Sequence, residues 1–181
     1  MATELFIQSS SPCSSSEWDA EDASLSDAVQ TVFPMVTESM IMVWSGVCIP
    51  LGYKYDVSLM VDDIIDLCND ILLTKEGRRC VHWPSNTFAA VWDVAWDSSA
   101  VTVNAQWNRV VGGTEAMLAS RPSISIPRAD FLAEWKRPLE IAEGALQKAG
   151  YKPEQIPRLV ALHDLVARLP QYGRLYSDAS S

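Results

Sequence analysis

The stretch VWDVAWDSSAVTVNAQW, residues 91–107, sets three tryptophans among aspartates, and its reading decides the fold. In a strand, side chains alternate between faces. Trp92, Val94 and Trp96 then fall on one side, and Asp93 and Asp97 on the other. Past Ser98 and Ser99 the alternation resumes, with Val101, Val103, Ala105 and Trp107 on one face and Thr102, Asn104 and Gln106 on the opposite one. With Ser98-Ser99 as a two-residue loop, Trp96 meets Val101, Val94 meets Val103 and Trp92 meets Ala105, apolar against apolar. Ser-Ser lacks the glycine or asparagine such loops prefer, so a longer loop stays open. The Trp face is expected to be the buried face of an antiparallel sheet, because large aromatics pack well on a pleated surface. An exposed aromatic binding patch is the alternative. On the first reading, any function of this hairpin lies on the polar face of Asp93, Asp97 and Asn104.

The chain has 181 residues, 48% of them apolar, enough for one domain with a real core. Cys13, Cys48, Cys68 and Cys80 are widely spaced and include no CxxC pair, which fits reduced thiols better than a disulfide framework. Cys80 and His82 can share a strand face, but two ligands without two more do not make a zinc site. MATELFIQSSSP lacks the basic region and apolar run of a signal peptide. MIMVWSGVCIPLGY, from Met40, is too short and too interrupted to span a bilayer. These features point to a soluble, cytoplasmic protein with no membrane partner.

Net charge is −9, unevenly distributed. Residues 1–100 hold fifteen acids and four bases, residues 101–181 hold eight acids and ten bases, and no Lys or Arg precedes Lys54. An acidic half argues against nucleic acid, whose phosphates need basic clusters. It favours a basic protein partner or a metal, or it serves solubility alone.

Residues 1–23 are serine-rich and acidic and are expected to be a mobile segment ahead of a single domain, residues 24–181. Ser24 or Ser26 caps a short helix that Pro34 ends. Residues 39–51 read as a strand, and residues 56–73 as a helix with Gly77 beyond its end. Strands follow at 79–83 and 88–96, separated by PSN. SISIPRADFLAEWKRPLEIAEGALQKAGY then reads as a short strand feeding a long helix, whose apolar stripe is Phe131, Trp135, Leu139, Ala142, Leu146 and Ala149. Gly150 caps it, and Pro138 should kink or split it. A last helix from Pro157 turns Leu159, Leu162, Val166 and Leu169 inward, and YGRLYSDASS is expected to fray. Adjacent antiparallel strands followed by helices indicate an α+β fold: an antiparallel sheet with a Trp-rich hairpin, packed against helices that include a long C-terminal one.

VDDIIDLCNDILL, residues 61–73, contains DDxxD in Asp62, Asp63 and Asp66, with Asp70 continuing the row. On a helix these carboxylates share about one quadrant. Clustered carboxylates suit Mg²⁺ with a diphosphate, and the motif resembles the first aspartate-rich motif of prenyl diphosphate synthases. That resemblance implies a Mg-dependent enzyme using Asp62, Asp63 and Asp66. The family is a large all-helical bundle with a second acidic motif, and this chain has neither the second motif nor the length. The opposite arc, Met60, Ile64, Leu67, Cys68 and Ile71, makes the segment an ordinary amphipathic helix. Its wet face nevertheless carries four acids and no Lys or Arg to pair them along the helix; a partner-binding face is one reason to tolerate that self-repulsion, and a plain solvated face is the alternative.

His82 and His163 lie in unrelated elements, and there is no GxSxG, HExxH, P-loop or GxGxxG, so no cofactor is implied. In general character, with FLAEWKRPLEIAEGALQKAGY as its ending, the chain resembles bacterial immunity proteins that neutralise secretion-delivered toxins. The resemblance implies a non-catalytic protein that binds a cognate protein toxin with a basic surface and covers its active site. Asp62, Asp63, Asp66 and Asp70 of the helix, with Asp93 and Asp97 of the hairpin, are the candidate partner-binding residues. A scaffold or assembly subunit, associating through an apolar patch that includes Trp18 or Trp44, is the third reading.

Overall fold

The Trp-rich hairpin forms in the expected register. Strands β5 (Phe88–Trp96) and β6 (Ala100–Val110) pair Trp96 with Val101, Val94 with Val103 and Trp92 with Ala105. These side chains are buried, and Asp93 and Asn104 take the solvent side. Asp97 explains how Ser-Ser closes the turn without glycine. Its Oδ1 accepts from the backbone N–H of Ser99 at 2.7 Å and of Ala100 at 2.9 Å, and from Ser99 Oγ at 2.7 Å. The side chain thereby organises a turn whose serines both keep negative φ.

The computed structural model describes residues 4–171; the expectation for residues 172–181 lies outside them. Among the described residues, β4 (Gly77–Pro84) and β7 (Ser123–Pro127) flank the hairpin in a four-stranded antiparallel sheet ordered β4-β5-β6-β7. A second antiparallel sheet is ordered β1-β2-β3, from β1 (Leu5–Gln8), β2 (Ser39–Trp44) and β3 (Val47–Gly52). The single strand read over residues 39–51 is thus corrected to a hairpin. It reverses at Ser45 and Gly46, whose φ values of +45° and +83° give the two-residue turn that matches strand twist.

Among the described residues five α-helices and a π-helical turn, Tyr53–Val57, complete the fold: α1 (Leu25–Val32), α2 (Ser58–Leu73), α3 (Glu115–Ala119), α4 (Arg128–Ala149) and α5 (Arg158–Arg168). Ser24 caps α1 in a reciprocal capping box with Asp27. The stripe on α4 is buried at Phe131, Trp135, Leu139, Ala142 and Leu146, and Gly150 ends the helix at φ +93°. Pro138 does not split α4. It lies on the buried face with Trp135 and Leu139, and that burial offsets the backbone bond it cannot donate.

The buried faces of both sheets meet through aromatics. Trp44 of β2 sits 5.5 Å from Trp92 and 4.8 Å from Trp107, and Trp83 stacks on Trp135 of α4 at 6.2 Å. Trp44 Nε1 donates to Arg121 O at 2.7 Å and Trp96 Nε1 to Thr74 Oγ1 at 3.0 Å. The tryptophans of residues 91–107 are therefore core, and the alternative of an exposed aromatic patch there does not hold.

Residues ahead of position 24 also make contacts with the rest of the fold. Leu5 and Ile7 are buried as part of β1, because their alternation supplies an apolar face to the first sheet. Residues 13–22 run across α4 and the loop after it. Lys148 Nζ donates to Ser14 O, Ser15 N to Val32 O, Tyr151 Oη to Asp22 Oδ2, and Gln155 Nε2 to Asp19 O and Asp22 O.

Candidate functional site

The absence of cations within α2 is answered from three other elements. Arg158, first residue of α5, donates through Nε to Asp62 Oδ1 at 2.7 Å and through Nη2 to Asp66 Oδ1 at 2.5 Å, with a further bond to Asp62 O at 3.0 Å. Arg79 of β4 donates through Nε to Asp70 Oδ2 at 2.8 Å. Arg128, first residue of α4, caps the carbonyl end of α2. It donates to Ile71 O, to Thr74 O at 2.9 Å and to Lys75 O at 3.3 Å, where the helix dipole favours positive charge. Burial works against the Arg158 charge, but the Asp62 and Asp66 carboxylates outweigh it and raise its pKa.

Asp63 differs from its neighbours. Its side chain makes no hydrogen bond or ion pair among the described residues, and partial burial, with Asp66 and Asp62 nearby, raises its pKa against the opposing pull of Arg79 and His82. In the hairpin, Asp93 receives a two-pronged contact from Arg78 of β4, with Nε at 2.6 Å from Oδ1. That hydrogen bond holds the carboxyl below the usual range. The backbone N–H of Ser99, then its hydroxyl and the N–H of Ala100, do the same for Asp97.

The six candidate aspartates differ in their partners. Four of them, Asp62, Asp66, Asp70 and Asp93, are paired with arginines, Asp97 is engaged by its own turn, and Asp63 is left on α2. The guanidinium of Arg158 also fills the place between Asp62 and Asp66 that a divalent ion shared by them would take. Among the described residues, no three or more His, Cys, Asp or Glu side chains gather as a metal site. Cys80 and His82 do share a face, with Sγ 3.5 Å from Nε2 on the exposed side of β4.

Exposed acid without a cation lies elsewhere, on the N-terminal arm. Glu17, Asp19 and Glu21 are exposed and enter no ion pair among the described residues. Between them stands Trp18, 52% exposed, yet fixed in orientation by donation from Nε1 to Gln155 Oε1 at 2.6 Å. The ring borders an open depression lined also by Gly150, Lys152, Glu154 and Gln155. Tyr151 anchors the arm from below through Asp19 N at 3.2 Å and through Asp22. Composition signals the acidity of this segment, but serine content hides its attachment, since the partners lie more than a hundred positions away: Trp18 and Gln155 are 137 apart.

Comparison with protein families, with curated proteins and with solved structures finds no match for this chain. No helix among the described residues is long and apolar enough to cross a membrane.

Proposed function

We propose that this chain is a non-catalytic binding protein of the immunity type, which holds a basic protein toxin and covers its active surface. Cytoplasmic action belongs to the same proposal. The observation that carries it is Trp18: a large aromatic left half in solvent, hydrogen-bonded to Gln155, and flanked by exposed acids that enter no ion pair among the described residues. Pre-oriented aromatics concentrate binding energy at interfaces, and surrounding charge of one sign accelerates encounter with a partner of the other.

The arm therefore replaces the α2 carboxylates as the main binding element. Asp62, Asp66 and Asp70 are engaged by Arg158 and Arg79, so reversing their charge would break these ion pairs as well as change the surface, and would mix the two effects in a binding readout. The test is capture from the native host with the tagged full chain, at low and at moderate salt. The proposal expects one basic protein, released progressively as salt rises and absent from a Trp18→Ala capture. A partner retained by the Trp18→Ala chain, or one insensitive to salt, would refute the arm as its binding site.

A further inference from the structure

Cys80 and His82 stand two positions apart on β4, so their side chains leave the same face of the sheet. Both are exposed, and Cys80 Sγ lies 3.5 Å from His82 Nε2. That separation is the one a tetrahedral zinc ion imposes on two of its ligands. A Zn–S bond of about 2.3 Å and a Zn–N bond of about 2.0–2.1 Å, at the tetrahedral angle, put sulfur and nitrogen about 3.5–3.6 Å apart. Thiolate with imidazole is also a donor set that suits zinc. Among the described residues, Cys13 and Cys48 are exposed without a histidine in contact, since the other histidine, His163, is bonded to Glu143.

Within one chain the set stops at two, because no third His, Cys, Asp or Glu among the described residues gathers with this pair. A structural zinc ion takes four ligands. The surroundings leave room for the missing two. Across the sheet from Cys80 the register gives Asp93, Asn104 and Ser123, each half-buried or exposed, so this face is open to a second molecule. Asp93, directly opposite Cys80, is already matched by Arg78, with Nε at 2.6 Å from Oδ1, and brings no unpaired charge to the contact. A two-fold axis through the ion repeats the pair and completes a tetrahedron of two sulfurs and two nitrogens.

We propose that Cys80 and His82 are half of a zinc site, completed by the same two residues of a second copy of this chain. One Zn²⁺ then joins two chains through two thiolates and two imidazoles. Each thiol releases its proton to solvent as its sulfur binds the ion, and metal binding supplies the free energy of association.

The probe is Zn²⁺ alone, titrated into the full chain with its thiols kept reduced, with mass read by light scattering and stoichiometry by calorimetry. The expected result is a dimer that saturates at one Zn²⁺ per two chains and returns to monomer when the ion is chelated. Cys80→Ser and His82→Ala should each weaken zinc binding by about a hundredfold or more and abolish the dimer, a larger loss than outer partners of a metal site produce. Both positions are exposed, and circular dichroism of each variant checks that the fold is retained. Cys13→Ser and Cys48→Ser should bind zinc as the parent does. Absence of zinc binding, one Zn²⁺ per monomeric chain, or a zinc-dependent dimer that survives Cys80→Ser overturns the proposal.

Discussion

Arg158 and Asp62, 96 positions apart in the chain, meet at 2.7 Å, and the same guanidinium reaches Asp66 at 2.5 Å. One cation at the start of α5 thus separates two carboxylates that would otherwise repel each other on α2. All three side chains remain partly solvated, which limits the gain to about 1 kcal/mol or less. Arg158→Met should lower unfolding free energy by about that amount and flatten its dependence on salt. Urea titrations at low and high salt measure both effects. An unchanged midpoint at low salt would show that the pairing contributes nothing.

Asp63 should behave oppositely. Burial and neighbouring carboxylates raise its pKa, so the fold disfavours its charged form. The penalty is present at neutral pH and is relieved as pH falls through the raised value. Asp63→Asn is therefore expected to be at least as stable as the parent at neutral pH, with the difference shrinking on acidification. Thermal unfolding across the acid range reads this directly, and a clear loss of stability at neutral pH would contradict it.

The hairpin turn rests on Asp97, whose pKa is held below the ordinary carboxylate value by the N–H and hydroxyl of Ser99 and the N–H of Ala100. For a depressed carboxylate, the stabilisation is present above the unfolded pKa and is lost as pH falls through the folded one. Asp97→Ala should lower Tm at neutral pH, and the gap to the parent should close as acid protonates Asp97. A gap that persists below that range would assign the effect to something other than the ionised side chain.

Gly77 stands opposite Trp96 in the β4–β5 ladder, and a Cβ there would lie 2.3 Å from Trp96 Cζ2. Trp96 is in turn tied to Thr74 through its indole N–H. Gly77→Ala should cost about 1–3 kcal/mol through displacement of the ring. Denaturant unfolding measures the loss, and a chain that tolerates alanine unchanged would show that the ring is free to move.

His163 is solvent-exposed on α5 and lies 2.6 Å from Glu143 Oε1 of α4, whose hydrogen bond and charge raise its pKa above the usual histidine value. The pairing contributes fully below the unfolded pKa and is lost as pH rises through the folded one. NMR titration should show His163 returning towards the ordinary value in Glu143→Gln.

Which parts of this fold could be read from residues alone follows from distance along the chain. The hairpin register, the buried arc of α2 and the stripe of α4 are repeats over a few residues, and period 2 or 3.6 displays them directly. The turn at Ser45-Gly46 had a local signal, the Ser-Gly dipeptide, which the surrounding β-branched residues masked. Arg158, Arg79 and Arg128 carried none, because their carboxylate and carbonyl partners come together only once the chain has folded. An acidic helix without cations therefore looked like an unfilled binding face, although its charge was already matched by the basic C-terminal half and by β4. The arm was obscured for the converse reason: a composition poor in apolar residues is held by hydrogen bonds to Tyr151 and Gln155, which no pattern in residues 1–23 announces.

The central functional claim is that the partner docks on the arm and not on the carboxylate row of α2. It is tested most directly by comparing the captured partner's affinity for three chains: the parent, Glu17→Lys/Asp19→Lys/Glu21→Lys, and Asp63→Lys. The arm variant is expected to lose about tenfold or more in affinity with a flattened salt dependence, and Asp63→Lys less than about threefold. Full affinity in the arm variant, with the loss confined to Asp63→Lys, would contradict it.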